Sequence, residues 1–100
     1  MIVYNITVSF EEPIENEFLQ WQTDEQIPSI MATELFDSWK RYRLLGTNEG
    51  ERTYIIQFST DSAERFETYL EQFDQPLREK AYARWGNTFI AFHTAMQAVQ

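Results

Sequence analysis

The sequence predicts an α+β domain in which helices cover one face of a four-stranded antiparallel sheet. Residues 2–10 and 52–60 alternate apolar and mostly polar side chains with a period of two, which is typical of half-buried strands. Residues 46–50 contain two glycines and an asparagine and predict a hairpin loop before the second of these strands. Pro13 and Asp61 each open a helical pattern directly after a strand.

The first helix is predicted to begin at Pro13, because a proline in the first turn has no backbone N–H to lose. Its buried side consists of three apolar residues at helical spacing: Ile14, Phe18 and Trp21. The residue before a proline avoids the helical region, so Pro28 predicts a break near Ile27. A short helical turn over residues 28–33 should follow.

The second helical region is predicted to begin at Asp61, which with Glu64 three residues later resembles a capping box. Asp74-Gln75-Pro76 restarts the helical pattern. Gly86 is expected to end it as a left-handed C-terminal cap.

Two further strands complete the order of elements. An extended stretch rich in aromatic and basic residues predicts a strand over 35–45, and alternation predicts the last strand over about 87–98. The order is therefore strand, helix, strand, strand, helix, strand. Its simplest closed arrangement is one ferredoxin-like βαββαβ sandwich spanning residues 1–100, in which the first strand is central and one sheet face lacks helices.

The helix-free face of the sheet predicts self-association. The residues expected to make it apolar are Val3, Trp39, Ile55, Phe89 and Ala91. A sheet face of this composition is too apolar to remain in water. A second copy of the chain is the commonest cover for such a face, so we expect a homodimer.

The net charge of −8 excludes some classes of partner and site. The first 39 residues hold eight acids and no Lys or Arg, whereas acids and bases balance in the remainder. This acidic protein would repel a phosphate backbone, so we expect no nucleic-acid partner. The absence of cysteine and the single histidine argue against a metal site, and no motif predicts a cofactor. No signal segment or apolar run of ~20 residues is present, so we expect a cytoplasmic protein with no membrane partner.

Strand parity predicts a row of polar side chains on the face opposite the bulkiest apolar residues. The expected members are Asn5, Thr7, Gln57, Ser59 and His93, joined by Trp39, Arg41 and Arg43 if the second strand keeps the corresponding register. The row could line a polar cavity in which His93 acts as acid or base near neutral pH. It could equally hydrogen-bond across a dimer seam, because buried polar groups need partners.

Segments spread over nearly the whole chain resemble an uncharacterised domain-of-unknown-function family of bacteroidete bacteria. The segments are Met1–Val8, Ile27–Thr33, Leu44–Leu45, Thr53–Phe58 and Trp85–Thr94. The resemblance implies a fold related to the dimeric α/β-barrel superfamily, in which two ferredoxin-like subunits join their open sheet faces. It implies no activity. Gln26 and His93 depart from the family pattern, which commonly has a histidine and an arginine there. If those positions form an active site in the relatives, a general base and a charge clamp are both altered here.

The sequence contains no complete catalytic set and identifies no catalytic residue. The leading interpretation is a small homodimeric binding or interaction module with a cavity for a small-molecule ligand. The alternative, suggested by the superfamily, is a cofactor-independent monooxygenase-like enzyme acting on a small aromatic or acidic metabolite. That enzyme would use a cavity around Asn5 and His93. A subunit that joins a larger complex through its acidic first helix is a third interpretation.

Overall fold

Strand β1 (Ile2–Glu11) lies inside a four-stranded sheet, between β3 (Glu51–Thr60) and β4 (Phe89–Gln97). Strand β2 (Ser38–Arg43) pairs with the other side of β3, so the order across the sheet is β2-β3-β1-β4. Every neighbouring pair is antiparallel in this computed structural model, which describes all 100 residues. The predicted ferredoxin-like fold and the central position of the first strand are confirmed.

The helical layer covers one face of the sheet. Its helices are α1 (Glu15–Trp21), α2 (Ile27–Met31), α3 (Ala63–Gln72) and α4 (Asp74–Trp85). The core between the layers is rich in aromatic rings, and the Phe18 ring centroid lies within 5.5 Å of those of Phe10, Trp85 and Phe89. Such tilted ring pairs add to the stabilisation from burial. None of the helices has the length and apolar character that a membrane crossing requires.

The break predicted near Ile27 is absent. Ile27 has helical dihedral angles, φ −62° and ψ −48°, and a π-helical turn, Gln22–Gln26, joins α1 directly to α2. Pro28 therefore falls in the first turn of α2, where a missing N–H is tolerated. The widened turn carries the chain past the proline without interrupting the helical path.

The other boundaries differ from the predictions by a few residues. Ser62 caps α3 in place of Asp61, and its Oγ accepts a hydrogen bond from the Arg65 N–H at 3.2 Å. Strand β2 is shorter than predicted at both ends, and Phe36, before it, is buried in the core. Gly86 ends α4 with a positive φ of +58°, but its ψ of −128° lies outside the left-handed helical region that the sequence predicts for this cap.

The side-chain direction along β4 is opposite to the prediction. Its partners on β1 place Phe89 beside Phe10 and His93 beside Ile6, and directly opposed residues in an antiparallel pair share a face. Phe89, Ala91 and His93 therefore face the helices. The open face receives instead the other row of β4: Ile90, Phe92, Thr94 and Met96.

The alternating residues of β2 are reversed in the same way. Trp39 lies opposite Phe58, Arg41 opposite Ile56 and Arg43 opposite Tyr54, so all three point to the helical side of the sheet. Trp39 therefore does not belong to the open face, where it was expected with Phe89 and Ala91. Of the five apolar residues predicted for that face, Val3 and Ile55 are on it.

We predict that Ser62→Ala lowers the free energy of unfolding by about 1 kcal/mol, because the mutation removes the side-chain acceptor at the start of α3. Asp61→Ala, the matched control, should change it by less than about 0.5 kcal/mol, as is usual for an exposed residue outside a cap. Urea denaturation of both variants measures these values. A larger loss of unfolding free energy in Asp61→Ala than in Ser62→Ala would indicate that Asp61 is the cap.

Candidate functional site

The Tyr4 hydroxyl lies at the centre of a polar cluster between the sheet and the helices. Its Oη is 2.5 Å from Asp74 Oδ1 and 2.6 Å from His93 Nδ1. Tyr4 comes from the middle of the sheet, His93 from the neighbouring strand β4, and Asp74 from the first residue of α4. Residues 4, 74 and 93 are thus brought together by the pairing of β1 with β4 and the placement of α4 over both.

Asp74 is one of the few charged groups in the interior, with 8% of its surface exposed. Its second oxygen, Oδ2, lies 2.8 Å from Nε of Arg78, one helical turn further along α4. The Arg78 Nε–H is not aligned for a hydrogen bond along that line, so the pair is held by charge and the N–H stays without a directed partner. The carboxylate therefore has a hydrogen bond on one oxygen and a cation on the other.

The single hydroxyl proton of Tyr4 fixes the proton positions in the cluster. Tyr4 donates that proton to the Asp74 carboxylate, so its oxygen can only accept from His93. The imidazole consequently carries its proton on Nδ1, and Nε2 of the neutral ring has a free lone pair. The result is a directional chain of hydrogen bonds from His93 through Tyr4 to Asp74.

Burial and charge keep both proton donors neutral near pH 7. Burial, and then the positive charge of Arg78, lower the pKa of His93 to about 4, against an opposing effect of Asp74. Burial and the hydrogen bond to Asp74 raise the pKa of Tyr4 well above its ordinary value. At neutral pH the only charges in the cluster are those of Asp74 and Arg78, and these cancel.

A small cavity adjoins the cluster. Its walls include the polar residues Tyr4, Gln26, Asp74, Arg78 and His93, together with apolar residues of the core. The cavity volume is about 20 Å³, enough for one water molecule but far below what an aromatic metabolite occupies. Taken alone, the space beside His93 is too small for the aromatic or acidic metabolite expected of a monooxygenase-like enzyme.

The predicted polar row is divided between the two faces of the sheet. Asn5, Thr7, Gln57 and Ser59 lie on the open face, where Asn5 accepts from Gln57 at 3.4 Å and donates to Thr7 at 3.1 Å. His93 lies on the helical face and does not join them. Because the sheet separates Asn5 from His93, they cannot share the cavity that the enzyme interpretation required.

The three residues of β2 that were expected to join the row are not part of it. Trp39, Arg41 and Arg43 are on the helical side, and the Arg41 guanidinium donates to Thr23 Oγ1 at 3.2 Å. Arg52 on β3 forms the ion pairs with the acidic first helical region, at 3.4 Å to Glu12 and 3.3 Å to Glu15. No ion pair joins Arg41 or Arg43 to these acids.

Sequence reasoning missed three polar members of the cavity wall, Tyr4, Asp74 and Arg78, whereas the family resemblance pointed to Gln26 together with His93. Tyr4 belongs to the apolar row of β1, and alternation gives no sign that its hydroxyl needs partners. The spacing of Asp74 and Arg78 is the one detectable signal, because residues four apart on a helix are neighbours. Nothing local distinguishes that pair from an exposed one.

The domain of unknown function DUF4286 matches residues 1–99. The chain belongs to this family. No curated protein matches it. The description of the family names no activity, so membership does not indicate a function.

Solved structures share the fold at low sequence identity. A dimeric ferredoxin-like protein from an uncultured marine organism has a TM-score of 0.74 at 10% identity, over 99% of this chain and 95% of its own. An ethyl tert-butyl ether D family protein from Bacillus halodurans has a TM-score of 0.69 at 15% identity, over 99% of this chain and 100% of its own. A variant of SnoaB, a cofactor-independent oxygenase from Streptomyces nogalater, has a TM-score of 0.64 at 14% identity, over 99% of this chain and 94% of its own. At these identities the likeness shows the fold alone.

We predict that an NMR titration gives a pKa near 4 for His93. Because His93 is the only histidine, its imidazole signals can be assigned without ambiguity. Arg78→Met should raise this pKa, because a nearby positive charge is removed, and Asp74→Asn should lower it further. Nitrogen shifts should place the proton of the neutral ring on Nδ1. A pKa near 6.5 in the wild type would contradict the burial of His93.

The lowered pKa also predicts a pH dependence of stability. Between pH 6.5 and about 4 the unfolded chain binds a proton at His93 and the folded chain does not, so the folded state loses stability as the pH falls through this window. The unfolding free energy of the wild type, relative to that of His93→Phe, should therefore decrease as the pH falls from 7 to 4. Denaturation at several pH values measures this difference, in which the carboxylates common to both proteins cancel.

Proposed function

We propose that this protein is a homodimeric binding module that associates through the open face of its sheet and binds a small ligand on its helical side. The observation that carries the dimer is a set of large apolar side chains on the open face. Their exposed fractions are 61% for Ile90, 64% for Phe92, 45% for Met96 and 42% for Tyr42. Exposed apolar residues of this size on one face of a sheet mark an interaction surface.

The distribution of polarity on this face suits a self-complementary interface. Ile90, Phe92 and Met96 form a row on β4, at one edge of the sheet, while short polar side chains occupy β1 in the middle. The charged residues lie away from the middle: Lys40 on β2, and Glu11 and Glu51 at one end of the central strands. A two-fold arrangement would let each apolar row cover part of the partner's face, as in isologous interfaces.

The similar structures support this proposal through the fold. The protein from the uncultured marine organism is described as dimeric, and its fold matches this one over nearly the full chain. A dimeric α/β barrel is the corresponding proposal here. A cytoplasmic location, an origin in bacteroidete bacteria and the lack of nucleic-acid and membrane partners remain predictions from the sequence.

The monooxygenase-like alternative is not favoured. It depended on Asn5 and His93 meeting in one cavity, and they lie on opposite faces of the sheet. The fold it shares with an oxygenase hosts many unrelated functions.

Light scattering after gel filtration tests the dimer. We expect the wild type to elute at twice the mass of one chain at micromolar concentration. Phe92→Glu should elute as a monomer, because a buried unpaired carboxylate in the seam is costly. Leu70→Glu is the matched control: Leu70 is 42% exposed on α3, in the opposite layer, and its variant should remain dimeric. A monomeric wild type, or equal dissociation of both variants, would sink the proposal.

A further inference from the structure

The buried cavity beside His93 adjoins a larger groove at the protein surface. The groove has a volume of about 760 Å³ and lies between α4 and the helical path from the π turn into α2. Gln26 and Leu77 are walls of both the cavity and the groove. A molecule in the groove therefore lies against the two residues that also border the polar cluster.

The inner cavity presents one acceptor and one donor that have no directed partner. Gln26 Oε1 and Arg78 Nε are buried and make no aligned hydrogen bond within the protein. Both residues line the cavity. Since an unmade buried hydrogen bond is costly, a group able to donate to Gln26 and accept from Arg78 would be stabilised there.

The charges around this site argue against an ionised ligand group. Asp74 and Arg78 form an ion pair, and Tyr4 and His93 are neutral at pH 7, so the cluster has no spare charge. An added carboxylate or ammonium group would be buried without a counter-charge, which is strongly unfavourable. The groove itself balances two acids with two bases: Asp24, Glu25, Lys80 and Arg84.

Size and lining complete the description of the ligand. The cavity volume of about 20 Å³ admits a single hydroxyl-sized group. Trp21, Pro28 and Leu77 give the otherwise mostly polar groove an apolar part against which a flat hydrocarbon body can lie. We infer that this site binds an uncharged aromatic alcohol, whose hydroxyl enters the cavity to bond Gln26 and Arg78 while its ring lies in the groove. The inference deepens the ligand-binding part of the proposed function and does not require the dimer.

Four probes of similar size and different polarity test the ligand class. Benzyl alcohol, toluene, benzoate and benzylamine are titrated separately into wild-type protein at millimolar concentration, and the His93 imidazole and Gln26 side-chain amide signals are followed by NMR. We expect saturable shifts of both signals with benzyl alcohol and weaker or no shifts with the other three. Equal binding of toluene would reduce the site to an apolar groove and overturn the inference. Tighter binding of benzoate or benzylamine, or no shift with any probe, would overturn it as well.

A pair of glutamine variants tests the role of the cavity. Gln26→Met keeps the length of the side chain and removes its carbonyl oxygen, so benzyl alcohol should bind about tenfold more weakly. Gln75→Met is the control, since Gln75 is exposed on α4 outside both spaces, and it should bind as the wild type does. Equal affinity in both variants would contradict the hydroxyl position. Should Gln26→Met fail to fold, the wild-type probe series decides alone.

The dimer variant separates this inference from the proposed association. Phe92 lies on the opposite side of the sheet from the groove, so Phe92→Glu should bind benzyl alcohol as the wild type does whatever its oligomeric state. Loss of binding in that variant would show that the site needs the second subunit, against the inference made here.

Discussion

Hydrogen bonding of β1 on both edges is the constraint on which the rest of the structure depends. Ten residues of this strand pair with β3 on one side and nine of them with β4 on the other. Each side chain of β1 therefore fixes the face of its neighbours on two further strands. This geometry buries Tyr4, Ile6, Val8 and Phe10 against the helices and gives the open face its polar middle.

The sequence predicts those parts of the fold that local patterns determine. The alternation of β1 and β3 is unambiguous, because in each strand the bulky row is clearly more apolar than the other. In β4 both rows contain apolar residues, with Ile90 and Phe92 in one and Phe89 and Ala91 in the other. Alternation alone cannot decide which row is buried, and the row that contains Ile90 and Phe92 proves to be the exposed one. The pairing of Phe89 with Phe10 decides it, and that is a long-range contact.

The polar cluster was beyond prediction for a related reason. Its members are up to 89 residues apart along the chain, and the contact between Tyr4 and His93 exists only because β1 pairs with β4 in one register. A shift of that register by one residue would turn His93 to the open face, where the sequence interpretation placed it. The candidate site and the β4 surface are thus settled by the same register. The register that turns His93 toward the helices leaves Ile90 and Phe92 on the open face.

The charge balance of the interior explains why His93 stays neutral. Asp74 is the one acid buried in the cluster, and Arg78 already neutralises it. Protonation of His93 would add a second cation beside a single carboxylate, in surroundings that solvate charge poorly. The Tyr4 hydroxyl meets this constraint, because it satisfies Asp74 as a donor and His93 as an acceptor without adding charge. A phenol at the centre of the sheet therefore allows a carboxylate, a guanidinium and an imidazole to share a partly buried site at neutral pH with no net charge.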